Sequence, residues 1–547
     1  MFIKVTKSGN YKYCQVVESH REGGKVKHKV LFNLGRLDEI EGNPSFANLG
    51  WRLLELSKAK KAANLEDISE AELLNWGWIA YRRLWEKFKL PHILKKVAAG
   101  RKISYDLEKT SFLMAASHLL CPKSKLGIYD SQDRYIGLEK IGLNEIYRSL
   151  DILAERKTEI EDRLFDVNIN LFNMSVDVVF YDVTTFSFSS VKADSLKDFG
   201  FSKEGKPGKV QVVLGLLIDC WGRPVGYNLF PGNTIDSKTL GKALDSLEGR
   251  FGIRKVIVVA DRGINSKANL KAIADRGYEY IFSYKLKSGP QNIKDMLNRE
   301  SFTATGEGED ALSYKVVGYK NTVKEGKEEH TLAERLILTY SKKRAKKDEA
   351  DRMRAVEKAE ALLGDNAKIK AQAKRGYRKY LKDINDNSSW VLDRARIEQE
   401  SKYDGYYAIE TNKLDIRASE AIEAYHNLWR IEQSFRIMKS TLEVKPIFHW
   451  TEKRIKGHFV ICFLSFMLER ELEFRLRKEG IPFSAEKIKE SLNTLNFAKV
   501  DIEGKTYLIK TKADSLAGKI LRLLKIKQPK NITPPSLICN FPLKLGL

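Results

Sequence analysis

Two apolar runs that each end in an aspartate constrain this chain more than any other feature. The segment "VDVVFYDVTTFSF", Val176 to Phe188, reads past Asp177 as a buried strand until Asp182, where two threonines follow. Further on, Val256 to Ala260 form a second apolar, β-branched run, and it ends in Asp261. Alone, an aspartate at a strand end is a turn or capping residue. Two such ends ask what a pair of carboxylates does where dry strands stop.

The flanking pattern supplies the sheet. After the first run come Lys209 to Asp219 and Arg223 to Asn233, with "CWG" as the turn between them. The segment "SKTLGKALDSLEGRFG" then has helical spacing, with Asp236 or Ser237 as its N-cap. The Asp261 strand follows, then a helix over Ser266 to Arg276 and the strand "YEYIFSY". Three adjacent strands, then helix and strand in alternation, predict a mixed sheet. Residues 289–412 interrupt that order with short strands, Gly-containing turns, a charged helix from Lys342 and a last strand over Tyr403 to Asn412. They are expected to form an insertion with its own small sheet. The charged helix reads as a solvated face, although its "SKKRAKK" start could also touch phosphates.

The remaining segments frame this core. The first forty residues predict about three basic strands, and helical spacing takes over from Ser69 to Asn170, with "AELLNWGWIAYRRLWEKF" its clearest helix. Trp76, Trp78, Tyr81 and Trp85 fall on a helical stripe and are expected to pack. Beyond Glu479 a helix, a hairpin over "FAKVDIEGKTYLIKT" and a basic helix from Ser515 are expected.

With 547 residues, 43% hydrophobic and 31% charged, the chain can bury sizeable cores and is expected to fold as several domains. The net charge of +24, spread along the chain, points to a polyanion, with nucleic acid ahead of membrane because no basic amphipathic anchor occurs. Five isolated cysteines predict reduced core thiols, and neither C-x-x-C nor H-E-x-x-H supports a zinc site. The N-terminus has no signal-peptide core, and "HFVICFLSFML" is too short to span a bilayer, so a soluble cytoplasmic protein is expected. A Walker B reading of "VIVVAD" fails because no P-loop exists in the chain.

A third carboxylate stands in "EAYHNLWRIEQSFRIMKSTLEV". On a helix, residues seven apart share an azimuth, so Tyr425, Glu432 and Lys439 would form one line, flanked by Leu428, Trp429, Phe435 and Arg436. Glu432 could instead pair with Arg436 one turn on. Taken with Asp182 and Asp261, however, Glu432 completes an oxygen-only donor set suited to Mg2+ or Mn2+. Two such ions can activate a water or 3′-hydroxyl and stabilise the leaving oxygen of a phosphodiester.

The blocks "FYDVTT", "VADRG" and "YHNLWRIEQSFRIMKS" followed by "RIKGHFVICFL" resemble those of bacterial insertion-sequence DDE transposases. The likeness is to the branch with a β-rich insertion before the Glu and a Tyr, Arg, Glu, Lys signature around it. "VVESHREGGKVKHKVLFNLGRLD" is also similar to the start of that family. The resemblance implies an α/β, RNase H-like catalytic core in two parts, 169–288 and 413–475, around the insertion 289–412. Before the core lie an N-terminal β segment for end recognition (1–60) and a helical region for DNA binding or dimerisation (61–168); a basic C-terminal region (476–547) follows it.

By the same resemblance Asp182, Asp261 and Glu432 are the catalytic, metal-binding triad, expected to hold two ions, and Tyr425 and Lys439 hold DNA phosphates. Leu428 stands at the signature Arg position, and Arg436, about forty degrees from Glu432 on a helix, is the substitute ligand. The implied function is transposition: binding terminal inverted repeats, metal-dependent cutting of double-stranded DNA at element ends, and strand transfer to target DNA, by a homodimer on DNA. A catalytically silent DNA-binding regulator and an RNase H-like nuclease without strand transfer are the alternatives. His449 and His458 could reach DNA, as Trp390 and Trp450 could stack on a displaced base, but packing is the expectation for all four.

Overall fold

A computed structural model describes residues 1–22, 25–57, 72–172, 177–189, 192–203, 208–251, 253, 255–297, 301–305, 311–325, 328–371, 376–384, 389–445, 447–502 and 505–533. The chain divides into two compact units, Met1–Glu72 with Val500–Tyr507, and Leu73–Lys499 with Leu508–Leu547.

The first unit carries the three strands expected, β1 (Phe2–Ser8), β2 (Tyr11–Glu22) and β3 (Lys25–Arg36), as an antiparallel sheet. Alternation leaves most of its side chains exposed, with Cys14 and Val17 buried.

The second unit begins where the sequence misleads. Helical spacing extends from Ala71, yet Glu72–Asn75 is a strand, β4, and the helix runs only over Ile79–Lys87. Long-range contacts override the periodicity: the Asn75 side-chain amide donates to the carbonyls of Leu492 and Leu495, and the Trp76 amide donates to Leu495. Gly77 permits the approach, because a Cβ there would lie 2.0 Å from the Leu492 carbonyl oxygen. Trp76, Trp78, Tyr81 and Trp85 are buried, as their spacing predicts.

The main sheet is built from β5 (Val178–Ser187), β6 (Gln211–Asp219), β7 (Pro224–Pro231), β8 (Ile257–Ala260) and β9 (Glu279–Tyr284). Its order is β9-β8-β5-β6-β7; β5 and β8 run parallel, while β5, β6 and β7 form the antiparallel meander expected. This is the RNase H-like α/β arrangement. The inserted strands β10 (Thr303–Thr305), β11 (Leu312–Glu325) and β12 (Glu328–Ser341) do not make a separate sheet: they extend the main one through β15 (Tyr406–Thr411), which pairs with β9. Among the described residues of the insertion, β13 (Leu381–Asp383) and β14 (Trp390–Leu392) form a small sheet apart. The expectation missed this because local alternation marks strands without naming their partners. The charged helix is Lys342–Glu360, and the C-terminal hairpin is β16 (Asn496–Ile502) with β17 (Lys505–Lys510), edged by β18 (Ile532–Thr533).

Each sheet face is covered by its own core. Val179, Tyr181 and Val183 of β5 pack with Leu240, Leu244 and Leu270 on one side. Phe180 and Phe186 belong to the other core, with the helix Glu452–Lys478. The middle stretch of that helix, Phe459 to Leu468, is apolar nearly all round and buried across the sheet, Phe459 meeting Phe186 at 5.4 Å between ring centroids. Among the described residues no helix is long and apolar enough to cross a membrane.

Candidate active site

Asp182 does not end its strand. It sits midway along β5, which continues to Ser187 because β6 pairs with it along its length, Asp182 opposite Leu216. The parallel pairing to β8, by contrast, is registered from Val178↔Ile257 to Phe180↔Val259. Continued two residues, that register sets Asp261 level with Asp182, one residue past the end of β8. Alternation turns both toward the face that carries Phe180 and Val259, the face of the long buried helix. Asp182 is thus placed where the parallel ladder opens, rather than where its own strand stops.

Burial pushes the Asp182 carboxyl up to about 7, with Lys203 opposing and the Asp261 charge reinforcing the shift. Its Oδ1 accepts from the Val183 amide at 2.7 Å, and Asp261 Oδ1 accepts from the Gly263 amide at 2.7 Å. A Cβ at Gly263 would lie 3.2 Å from Asp261 Oδ1 and 3.4 Å from Asp236 Oδ2, so this glycine leaves room between two carboxylates.

Asp236 is an acid that sequence reasoning placed at a helix cap. Its helix is a 3₁₀ turn, Asp236–Lys238, followed by Leu240–Asp245, and residue 235 makes no side-chain cap bond. The Asp236 carboxylate instead pairs with Lys203 at 2.9 Å. Lys203 Nζ also lies 3.9 Å from Asp182 Oδ1 and donates to the Val183 carbonyl at 2.7 Å. An ammonium ion is therefore held by oxygen atoms alone, two of them from carboxylates. Charge and donor type both suit a hard divalent cation at this place.

The Glu432 segment is not one straight helix. It is Ala418–His426, a tight turn, Trp429–Arg436, and a five-residue π-turn over Ile437–Thr441. The expected line of Tyr425, Glu432 and Lys439 along one azimuth does not hold, because the turn at Asn427 and Leu428 and the wider π-turn each rotate the face. Burial of Leu428, Ile431 and Phe435 against the sheet fixes this segment, so the residue at the signature Arg position is a core side chain.

Lys439 donates to Thr184 Oγ1 at 2.6 Å, and Thr184 lies two residues along the same face of β5 from Asp182. Tyr425 is raised by burial and hydrogen-bonds Ser283, within reach of the Asp261 charge. Glu432 and Arg436 are exposed on a helix packed over β5. Among the described residues Glu432 enters no ion pair, and the three carboxylates do not all approach within 4.8 Å. The fold thus groups Asp182, Asp261, Tyr425 and Lys439 on one face and leaves Glu432 facing outward beside them.

More than half of the chain, residues 174–468, matches the family model "Transposase DDE domain". The chain belongs to the DDE transposase family. Residues 3–64 match the "IS1634 family transposase, N-terminal domain". No curated protein matches the chain. Among solved structures it is similar to the "Mos1 transposase paired-end complex with left transposon end" at 12% identity and a TM-score of 0.14. That match covers 33% of this chain and 60% of that chain. DDE transposase domains generally use divalent metal ions.

Beside Asp261 a cleft of about 1100 Å³ opens between the main sheet and the insertion, lined by Arg262, Lys285, Lys287 and Arg344 among others. Arg344 comes from the "SKKRAKK" start of the charged helix and stacks over Tyr407, which in turn stacks on Tyr425. Trp390 packs half-buried against the insertion's own cluster under Arg378, as expected, whereas Trp450 departs from the packing expectation, 74% exposed beside an exposed Phe448. His449 and His458 are buried, with their pKa values lowered by that burial.

Proposed function

We propose that this chain is the transposase of an insertion sequence: it binds the terminal inverted repeats, cuts double-stranded DNA at the element ends and joins the freed 3′-hydroxyls to target DNA. The observation that carries the reading is the parallel register that sets Asp182 and Asp261 level on one face of the sheet. Asp182 and Asp261, with Glu432 from the neighbouring helix, would hold Mg2+ or Mn2+, two ions in the working site. When bound, the ions favour ionisation of the attacking oxygen and offset charge on the leaving one.

The chain's own groups do the positioning. Lys439, anchored on Thr184, and Tyr425, anchored on Ser283, present a cation and a hydroxyl to DNA phosphates on either side of the aspartates. Arg436 adds a guanidinium from the exposed side of the Glu432 helix. The basic cleft beside Asp261 carries the flanking duplex, and its cations supply a salt-dependent affinity with little sequence preference. Two copies hold paired ends, and the protein works in the cytoplasm on the nucleoid.

The test is Glu432→Gln in the full chain, with a labelled duplex taken from the element's end. Binding should be retained and cutting lost. Equal loss of both would make Glu432 a structural residue and leave the aspartate pair without its third ligand.

A further inference from the structure

A second cluster of metal-type donors lies under the long buried helix, away from the carboxylates. A cavity of about 150 Å³ is lined by His118, Lys125, His449 and His458 among others, and by none of the residues assigned above to cutting or DNA contact. His118 comes from the helix Leu107–Leu120, and His458 and Cys462 lie one turn apart on Glu452–Lys478. All three are buried, His118 and His458 being 2% and 4% exposed. One ligand atom from each lies within 4.8 Å of the other two.

Backbone carbonyls fix how these imidazoles point. His118 Nδ1 is 3.2 Å from the Leu442 carbonyl, and His458 Nε2 is 3.0 Å from the Val444 carbonyl. A carbonyl only accepts, so each ring carries its proton on that side and turns the bare lone pair of the other nitrogen inward. Those two nitrogens, His118 Nε2 and His458 Nδ1, converge on Lys125 Nζ at 2.9 and 3.3 Å. Ring orientation by a carbonyl on the far nitrogen is how ligating histidines are generally held.

We propose that His118, His458 and Cys462 form a buried site for a divalent transition metal of zinc's class, separate from the Mg2+ or Mn2+ of the cutting site. Two imidazoles and a thiolate select such an ion over Mg2+, which asks for oxygen ligands. The fourth position faces the cavity, where Lys125 and His449 lie and through which the ion enters. Lys125 Nζ marks the point where the lone pairs meet; on loading, its amine turns along the cavity and the Cys462 thiol gives up its proton to solvent. The ion ties the helix Leu107–Leu120 to the helix behind β5, so its work is to hold the core together. The sequence signal is the His-x-x-x-Cys spacing at 458 and 462, which becomes legible only once His118 is seen opposite it.

The test is elemental analysis of the untagged, full-length chain purified without chelator, followed by exchange to Co2+. One zinc per chain is expected, retained through dialysis against Mg2+ and unchanged in Asp182→Ala. The cobalt form should show the visible bands of a tetrahedral site and a thiolate charge-transfer band that Cys462→Ser removes, while Lys125→Met still takes up metal. A folded natural chain that binds neither Zn2+ nor Co2+ would overturn the proposal, leaving Lys125 as the permanent occupant. So would a cobalt spectrum that Cys462→Ser and His118→Gln both leave unchanged.

Discussion

Two lysines occupy corresponding places in two unlike clusters. Lys203 sits among oxygen atoms, paired with Asp236 and near Asp182, and its side chain is 29% exposed. Lys125 sits among nitrogen and sulfur donors and is 3% exposed. Around Lys203 the demand for a cation comes from charge, because clustered carboxylates cannot all ionise unaided. Around Lys125 the demand comes from two lone pairs that carbonyls aim inward, and the carboxylate that lines the same cavity, Glu443, pairs with Lys489. The first cluster therefore suits a hard, exchangeable ion beside a cleft, and the second a soft ion kept in place.

The largest expected effect is on cutting. Asp182→Ala or Asp261→Ala should lower cleavage by about 10²- to 10³-fold or more, with end binding and zinc content unchanged. Gel-resolved cleavage products and elemental analysis of the same preparations check this. A comparable loss in a folded Cys462→Ser would erase the distinction between the two clusters.

Stability sharpens the comparison through a buried pair of acids. Glu410 on β15 accepts from Asn265, beside Glu334 on β12, which accepts from Tyr280. Burial, reinforced by Glu334, pushes the Glu410 carboxyl up to about 8 from an ordinary 4.5. Its protonated form is thus favoured by folding. That contribution is complete below the unfolded value and is lost as pH rises through 8, a change of a few kcal/mol. Glu410→Gln should flatten the fall in Tm between pH 5 and pH 9; a variant with the natural slope would remove Glu410 as its source.

A smaller effect separates the lysines. Lys203→Met should enlarge the stabilisation against unfolding on adding Mn2+ by about 1 kcal/mol, since the ion then meets no resident cation. Lys125→Met should leave that Mn2+ response as it is, and equal responses would blur the hard and soft sites. Smallest is Lys439→Ala, which should lower the slope of log affinity against log salt by about 1. An unchanged slope would take Lys439 out of the phosphate contacts.

Much of this was legible in the sequence. The two apolar runs mark the strands β5 and β8, because β-branched repetition is a local signal, although β5 continues past Asp182 to Ser187 where β6 pairs with it. Local spacing offers Asp236 or Ser237 as a helix cap, since nothing local says that Lys203 will reach Asp236. Glu432 was assigned to an unbroken helix because the seven-residue spacing ignores the turn at Leu428, where core packing decides. The inserted strands were seen without their partner, as β15 returns to β9 from far along the chain. The His118 cluster was missed for the same reason: its donors come from helices more than three hundred residues apart.

The most direct measurement is nicking of a labelled duplex from the element's end, with Mg2+ or Mn2+ and with EDTA, comparing the natural chain with Asp182→Ala. Metal-dependent cuts at the end that vanish in the variant are predicted. Cuts that survive in Asp182→Ala, or none in the natural chain while end binding is retained, would contradict the assignment of cutting to the aspartate pair.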